Sequence, residues 1–216
     1  MIESPIASYV AELDGALRGP RQVKADLITE ARDSLVDAAE AYERGGLGRR
    51  QAERRAVGEF GHVAEIAPGY QVELGLAQAR RTALLVGAVV AVQGLVAEYA
   101  WRSLPPHPWW RPGPGYAFVA HLVDVVGPLT VTLALLAAVG CGVGSRYIRA
   151  ARLPRAVGAF ALAVYAFFTL AGLYLTVAGP LPATLLAGAA LGPWLALFGA
   201  APVWMVVNAR RCLVAT

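Results

Sequence analysis

The sequence holds few of the residues that build cross-linked folds or catalytic sites. It has only two cysteines, Cys141 and Cys212, and both are close to clusters of arginine at the ends of apolar segments, where a cytoplasmic thiol stays reduced. They provide neither a disulfide framework nor a zinc motif. A phosphate-binding G-x-x-x-x-G-K-[ST] loop, an HExxH motif and a Ser/His/Asp constellation are also missing. We therefore expect a protein that has no metal or cofactor and is not an enzyme.

Lysine is rare, and acidic residues are scarce in the second part of the chain. Lys24 is the one lysine among nineteen basic residues, which together with abundant alanine and glycine hints at a GC-rich bacterial genome. Residues 80–216 contain ten arginines but only Glu98 and Asp124 as acids, whereas residues 1–79 contain nine basic and thirteen acidic residues. The isoelectric point near 9.3 therefore reflects the flanks of membrane segments. We expect no direct binding of nucleic acid.

Charges interrupt the first thirty residues, so we expect no cleaved signal peptide. Beyond residue 81 the character of the chain changes, and long apolar stretches follow one another. Apolar residues make up 57% of the sequence, and its mean hydropathy is +0.51. A helix needs roughly 20 apolar residues to cross a bilayer. The sequence thus predicts a four-helix transmembrane domain, 82–216, with spans at about 82–101, 117–141, 156–178 and 183–207.

Arginines mark one side of this predicted bundle. Eight of them flank the same side of the four spans, whereas only Arg102 and Arg111 flank the other. Because positively charged residues remain preferentially in the cytoplasm, we expect both chain termini there, with the protein in the inner membrane of a bacterium. The eight residues are Arg80, Arg81, Arg146, Arg149, Arg152, Arg155, Arg210 and Arg211.

Four polar residues, Gln93, Glu98, His121 and Asp124, fall inside the first two predicted spans. Such residues are costly in hydrocarbon and normally face the bundle interior. From the helical rise, Glu98 and His121 lie about 5 and 6 Å below the outer boundary, and Gln93 and Asp124 about 12 and 10 Å. We therefore predict that Glu98 meets His121 and that Gln93 meets Asp124. The pairs either lock two helices together or form a cluster that responds to protons or a ligand, and their loose geometry disfavours a metal site.

Small residues recur every four positions in the fourth predicted span, at Gly188, Gly192, Ala196 and Ala200. A stripe of this kind lets two helices approach closely. It serves packing within the bundle or between copies, so a homo-oligomer remains open.

Residues 1–70 are expected to form a small cytoplasmic domain of three amphipathic helices, followed by a juxtamembrane connector, 71–81. Apolar residues recur at helical spacing in the first two helices, and glycine and proline residues end each of them. The fold class is therefore all-α: a small three-helix domain followed by a four-helix transmembrane bundle. The predicted core residues of the first two helices are Ile6, Tyr9, Val10, Leu13, Leu17, Val23, Leu27, Ala31, Leu35, Ala38 and Tyr42.

The third helix is predicted at 49–60. Helical spacing places Ala52, Ala56 and Phe60 on its buried face. The stripe RRQAERR is either a solvated face or a binding face for acidic partners or lipid head groups. The residues that we expect to be exposed are Arg49, Arg50, Glu53, Arg54 and Glu59.

The stretch AVGEFGHVAEIA, 56–67, gathers Glu59, His62 and Glu65 within a few positions. An acid/base or metal cluster is not expected there, because Glu59 belongs to the solvated face and Gly61 ends the helix before His62. We interpret the stretch as a joint that leads from the small core toward the membrane.

The order Tyr9-x3-Leu13-x3-Leu17, then ADLITEARDSLVDAAEAYERGG, then RRQAERRAVGEFGHVAEIA resembles the HAAS domain, also called the permease prefix domain, of bacterial membrane proteins. The resemblance covers about residues 4–70. Two departures are Ser34, where a histidine is frequent, and His62-Val63, where the family has a polar residue and proline. The residues that match the pattern are Glu30, Asp33, Gly45, Ala52, Glu53, Phe60, Gly61, Ile66 and Ala67.

The resemblance implies a membrane protein whose partner is a PadR-like winged-helix transcription regulator or an ABC-type permease. We therefore expect a non-enzymatic, membrane-anchored regulatory or sensor protein whose cytoplasmic domain binds a soluble partner. An accessory membrane subunit of an ABC-type exporter is the alternative, and its energy source would be another polypeptide. A neighbouring gene for a regulator or for an ATPase would separate the two. An enzyme is the weakest alternative, because it would depend on the intramembrane polar residues alone.

Overall fold

The computed structural model describes residues 4–103, 111–143 and 153–179. These residues form six α-helices and no strand, so the predicted all-α class is confirmed for this part of the chain. The helices are α1 (Pro5–Ala16), α2 (Arg21–Arg44), α3 (Arg49–Phe60), α4 (Val63–Ser103), α5 (Pro114–Val143) and α6 (Leu153–Ala178).

The described residues divide into two compact units: residues 4–78, which we call the helical unit, and the described residues from 79 onward, which we call the apolar unit. Helix α4 contributes residues to both. The predicted boundary at residue 70 lies inside α4, and the helical unit includes the next two turns of that helix.

The core of the helical unit is built from one face of each of its helices. Helix α1 contributes Ile6, Tyr9, Val10 and Leu13, which follow helical spacing as predicted. Leu13 of α1 and Leu35 of α2 are completely buried. The further core residues are Leu17, Leu27, Ala31, Ala39, Ala52, Ala56, Val63 and Leu74.

The first part of α4 is a fourth element of this core. Val63, Ala67, Tyr70 and Leu74 recur at helical spacing and pack on the first three helices. Leu74 is 0% exposed. The interval 71–78 is therefore core helix as well as the predicted connector.

Glycine ends α2 and α3 where the sequence predicts, whereas α1 ends at Ala16, before Gly19 and Pro20. Proline supports the first turn of α1 at Pro5 and precedes α2 at Pro20. Gly46, at φ +94°, follows α2, and Gly61, at φ +102° and ψ 168°, ends α3. The conformation of Gly61 is one that residues with a Cβ atom almost never adopt.

Three helices are long and apolar enough to cross a bilayer: Val63–Tyr99, Pro114–Gly142 and Leu153–Ala178. They contain the first three predicted spans to within two residues, so the protein is membrane-associated. The fourth predicted span, 183–207, lies outside the described residues, as does its small-residue stripe of Gly188, Gly192, Ala196 and Ala200.

The three apolar helices pack around a small core of their own. Val86 and Val90 of α4 pack on Ala161 and Val164 of α6. A Cβ atom added at Gly87 would lie 3.3 Å from the Cβ atom of Ala134 in α5, so the small residue lets these helices approach closely. Exposed side chains of these helices are largely apolar and suit contact with lipid. They include Leu95, Tyr99, Phe118, Leu136, Leu170 and Val177.

Candidate functional site

The turn between α3 and α4 is tied to the N-terminal helix. The hydroxyl of Tyr9 donates a hydrogen bond of 3.0 Å to the carbonyl oxygen of Gly61. The Tyr9 ring meets the Phe60 ring edge to face, with 5.8 Å between centroids. Burial raises the pKa of Tyr9 above its ordinary value, and Tyr70 and Glu12 raise it further. Phe60 is half-buried and packs against the core beside the turn.

A cleft of about 440 Å³ opens beside this turn, between α1 and α3. It exists because small residues stand where larger side chains would fill it. A Cβ atom added at Gly58 would meet no atom within 4 Å. The lining residues are Tyr9, Glu12, Val57, Gly58, Gly61, His62, Val63 and Ala64.

Charged residues border the cleft. Glu12 and His62 line it and are exposed. Arg54 precedes Gly58 by one turn of α3, and Arg50 precedes Arg54 by another, so both continue the α3 side of the cleft. Both arginines are exposed, and neither forms an ion pair within residues 4–103, 111–143 and 153–179. The cleft thus combines an apolar floor with charged edges.

Glu53 corrects one expectation from the sequence. It was expected on the exposed face of α3, but it is only 7% exposed. Its carboxylate accepts a hydrogen bond of 2.6 Å from the Ser4 hydroxyl, and Arg49 lies 3.3 Å away. Ser4 precedes α1, so the buried carboxylate fastens the start of α1 to α3. The helical period places Glu53 at the margin of the buried face, where its two partners make burial tolerable.

Glu59 is held by α2 and α3. Tyr42 of α2 donates a hydrogen bond to its carboxylate, and the Arg55 guanidinium lies 3.1 Å from it. The same guanidinium stands 4.8 Å from the centre of the Tyr42 ring. The hydrogen bonds from Tyr42 and Arg55 lower the pKa of Glu59. The hydrogen bond to Glu59 raises the pKa of Tyr42.

The other acidic and imidazole groups of the joint stretch do not share this arrangement. His62 and Glu65 are exposed at the start of α4. Within the described parts of the chain, no group of three His, Cys, Asp or Glu side chains is arranged to hold a metal ion.

The solvent face of α2 is acidic. Asp26, Glu30, Asp33, Asp37 and Glu40 are all exposed and succeed one another at alternating steps of four and three residues. They therefore form one stripe along the helix, which we call the acidic stripe. None of the five forms an ion pair within the part of the chain that the structure describes.

The intramembrane polar residues include one ion pair within a single helix. The Glu98 carboxylate lies 2.7 Å from Arg102, one turn further along α4, and its predicted meeting with His121 stays a prediction. The prediction missed this i, i+4 partner, which needs no second helix. His121 and Asp124 are exposed on α5, and Gln93 is half-buried with a polar partner. The pairing of Gln93 with Asp124 stays a prediction.

The residues that match the HAAS pattern have mixed positions. Glu30 belongs to the acidic stripe, and Phe60 and Ile66 are half-buried beside Gly61. Other apolar members of the pattern, Tyr9, Leu13, Leu17 and Ala52, lie in the core of the helical unit. The predicted core residues Leu27 and Leu35 lie there as well.

The fold and the cleft define a helical, membrane-associated protein with a separate charged unit. Comparison of the chain with protein-family models, curated proteins and solved structures gives no match. The resemblance to the HAAS domain therefore stays a prediction.

Proposed function

We propose that the protein is a non-enzymatic, membrane-anchored regulatory protein whose helical unit binds a soluble protein. The observation that carries this proposal is the cleft beside the α3–α4 turn. It lies in a unit with its own core, distinct from the apolar helices that suit a bilayer. A partner side chain that enters the cleft gains an apolar environment, and the charged edges select among partners.

The proposed partner is a PadR-like transcription regulator, as the resemblance of residues 4–70 to the HAAS domain implies. In this proposal the protein resides in a bacterial inner membrane with the helical unit in the cytoplasm, on the side that the arginine distribution indicates. Capture at the membrane would lower the concentration of free regulator, so the protein acts by mass action without any chemical step.

The test fills the cleft with a larger side chain and measures whether the soluble partner still co-purifies. Gly58→Leu places a side chain in the open space of the cleft. Gly15→Leu is the matched control, because Gly15 is also a helical glycine with no atom within 4 Å of an added Cβ, and it does not line the cleft. The full chain and both variants are purified from membranes in mild detergent, and co-purified proteins are identified by mass spectrometry.

We expect wild type and Gly15→Leu to retain a DNA-binding regulator that Gly58→Leu loses by at least tenfold. Equal retention by all three chains would exclude the cleft as the binding site. Recovery of an ATPase subunit in place of a regulator would favour the accessory subunit of an exporter.

A further inference from the structure

The helical unit carries two surfaces of opposite charge that are unpaired within the described residues. One is the α3 edge of the cleft, with Arg50 and Arg54. The other is the acidic stripe on α2. Like charges at adjacent turns of one helix repel each other and destabilise that helix. An opposite charge that covers either surface therefore relieves this repulsion, and each surface has the charge that complements the other.

The acidic stripe also borders an exposed apolar side chain. Val36 is 38% exposed, and it is the one large hydrophobic residue of the helical unit, within residues 4–78, that is this accessible. It precedes Asp37 directly and lies one turn from both Asp33 and Glu40. Val36 is therefore an apolar knob with carboxylates on each side along the helix.

The spacing around the knob matches the spacing around the cleft. Asp33 lies three residues before Val36 and Glu40 four residues after it, which is about 5 to 6 Å along the helix axis in either direction. Arg54 lies four residues before Gly58, which is about 6 Å along α3. Because exposed Arg32 lies four residues before Val36, a carboxylate without a neighbouring cation faces Arg54 only when the second α2 runs antiparallel to α3, which brings Glu40 to Arg54.

We propose that a second copy of this chain occupies the cleft, with Val36 of one copy seated over Gly58 of the other and Glu40 paired with Arg54. The contact is heterologous, because the knob lies on the solvent face of α2 and the cleft between α1 and α3. Such self-association closes the cleft to other proteins. Only this regulatory consequence rests on the proposed function, in which a soluble partner uses the same cleft.

The experiment cross-links two differently tagged full chains in lipid vesicles that contain no other protein. Cys141 and Cys212 are replaced by alanine in both. One chain carries Val36→Cys and the other Gly58→Cys, and a short bismaleimide joins them. The matched control replaces Val36→Cys by Ala25→Cys, an exposed position three turns earlier on α2. We expect at least fivefold more mixed-tag product from the Val36 pair than from the control pair, and equal yields overturn the proposal.

Charge reversal tests the pairing. Arg54→Glu on the Gly58→Cys chain, or Glu40→Arg on the Val36→Cys chain, is expected to lower the product at least fivefold. Both reversals together are expected to restore it, because the two charges are exchanged across the contact. Raising NaCl from about 50 mM to about 1 M is expected to lower the product of the unreversed pair without any change of sequence.

A yield of mixed-tag product that neither charge reversal nor salt changes overturns the proposal. Because the vesicles contain this chain alone, a missing cross-link leaves the co-purification result of the proposed function untouched. Loss of the soluble partner from the purified chain likewise says nothing against the cross-link.

Discussion

The Tyr9 hydroxyl and the Gly61 carbonyl oxygen form a hydrogen bond of 3.0 Å that joins the first helix to the turn before α4. The two residues are far apart in the sequence, so this bond connects the first helix to the end of the third. It also fixes one wall of the cleft, because Tyr9 and Gly61 both line it. Loss of this contact should therefore also destabilise the proposed binding site.

Tyr9→Phe tests this contact. The variant keeps the ring that packs on Phe60 but leaves the Gly61 carbonyl without its donor. We expect a loss of about 1 kcal/mol in the opening free energy of α1, which corresponds to roughly fivefold faster exchange. Hydrogen exchange of peptides from residues 5–16, measured on the full chain in detergent at neutral pH, reports the change. Unchanged exchange would show that the hydrogen bond adds nothing to the ring packing.

The same variant has an effect that depends on pH. Folding raises the pKa of Tyr9 above the ordinary 10.0, so on alkaline titration the unfolded chain loses the phenol proton first. The contribution of Tyr9 is therefore complete below pH 10 and decreases as the pH rises through the folded pKa. Wild type should lose stability above pH 10 more steeply than Tyr9→Phe. Parallel curves for the two proteins would contradict the assigned shift.

Ser4→Ala tests the attachment of the start of α1. It removes the donor of the 2.6 Å bond to the buried Glu53 carboxylate. Hydrogen bonds to charged groups contribute about 1.5 to 3 kcal/mol, so exchange of the α1 amides should accelerate at least tenfold. Ser8→Ala is the control, because Ser8 is exposed on the same helix. A similar acceleration in both variants would show that the bond to Glu53 is not its cause, because the higher helix propensity of alanine should by itself slow exchange.

The sequence predicts the helices of this protein better than it predicts their contacts. Helical spacing and the glycine and proline breaks indicate α1, α2 and α3 because those signals are local. Glu53 was misplaced because its burial depends on Ser4, which is distant in sequence. Residues 71–81 are predicted as a connector, and only packing on the first three helices shows that Leu74 belongs to the core.

The candidate site shows the same division. Gly61 was predicted as the turn, since glycine after a helix is a local signal. The cleft was not predicted, because it forms where Gly58 and Ala64, which have no large side chain, lie beside α1 in the folded unit. The partner of Glu98 was also missed, although Arg102 at i+4 could have indicated it.

Gly19→Ala tests the packing of the α1–α2 turn on α4. A Cβ atom at Gly19 would lie 3.0 Å from the Cβ atom of Leu74, which is attached to the backbone and cannot move aside cheaply. We expect a loss of about 1 to 3 kcal/mol in the unfolding free energy of the helical unit. Gly15→Ala is the control, since its Cβ would meet no atom and alanine stabilises a helix by about 0.5 to 1 kcal/mol. Urea titration, monitored by hydrogen exchange of residues 4–61, distinguishes destabilisation by Gly19→Ala from stabilisation by Gly15→Ala. A neutral Gly19→Ala would mean that residues 71–78 are a connector only.

Gly61→Ala tests whether the shape of the turn creates the cleft. At φ +102° and ψ 168° the backbone is in a region open almost only to glycine, so alanine should cost about 1 to 3 kcal/mol. The added Cβ would also lie 3.3 Å from Cδ1 of Ile66. Because relief of this strain requires the Gly61 carbonyl to turn, the variant should also lose protection of α1, where the Tyr9 bond ends.

Gly58→Ala is the matched control for Gly61→Ala. Its backbone is ordinary helix and its Cβ would enter open space, so it should leave stability unchanged or raise it by up to about 1 kcal/mol. Hydrogen exchange of α1 and of the α3–α4 turn, measured on both full-length variants, makes the comparison. If both substitutions behave alike, the turn conformation does not hold the cleft open. If only Gly61→Ala releases α1, the turn and the first helix form one structural element, and a partner that binds in the cleft stabilises both.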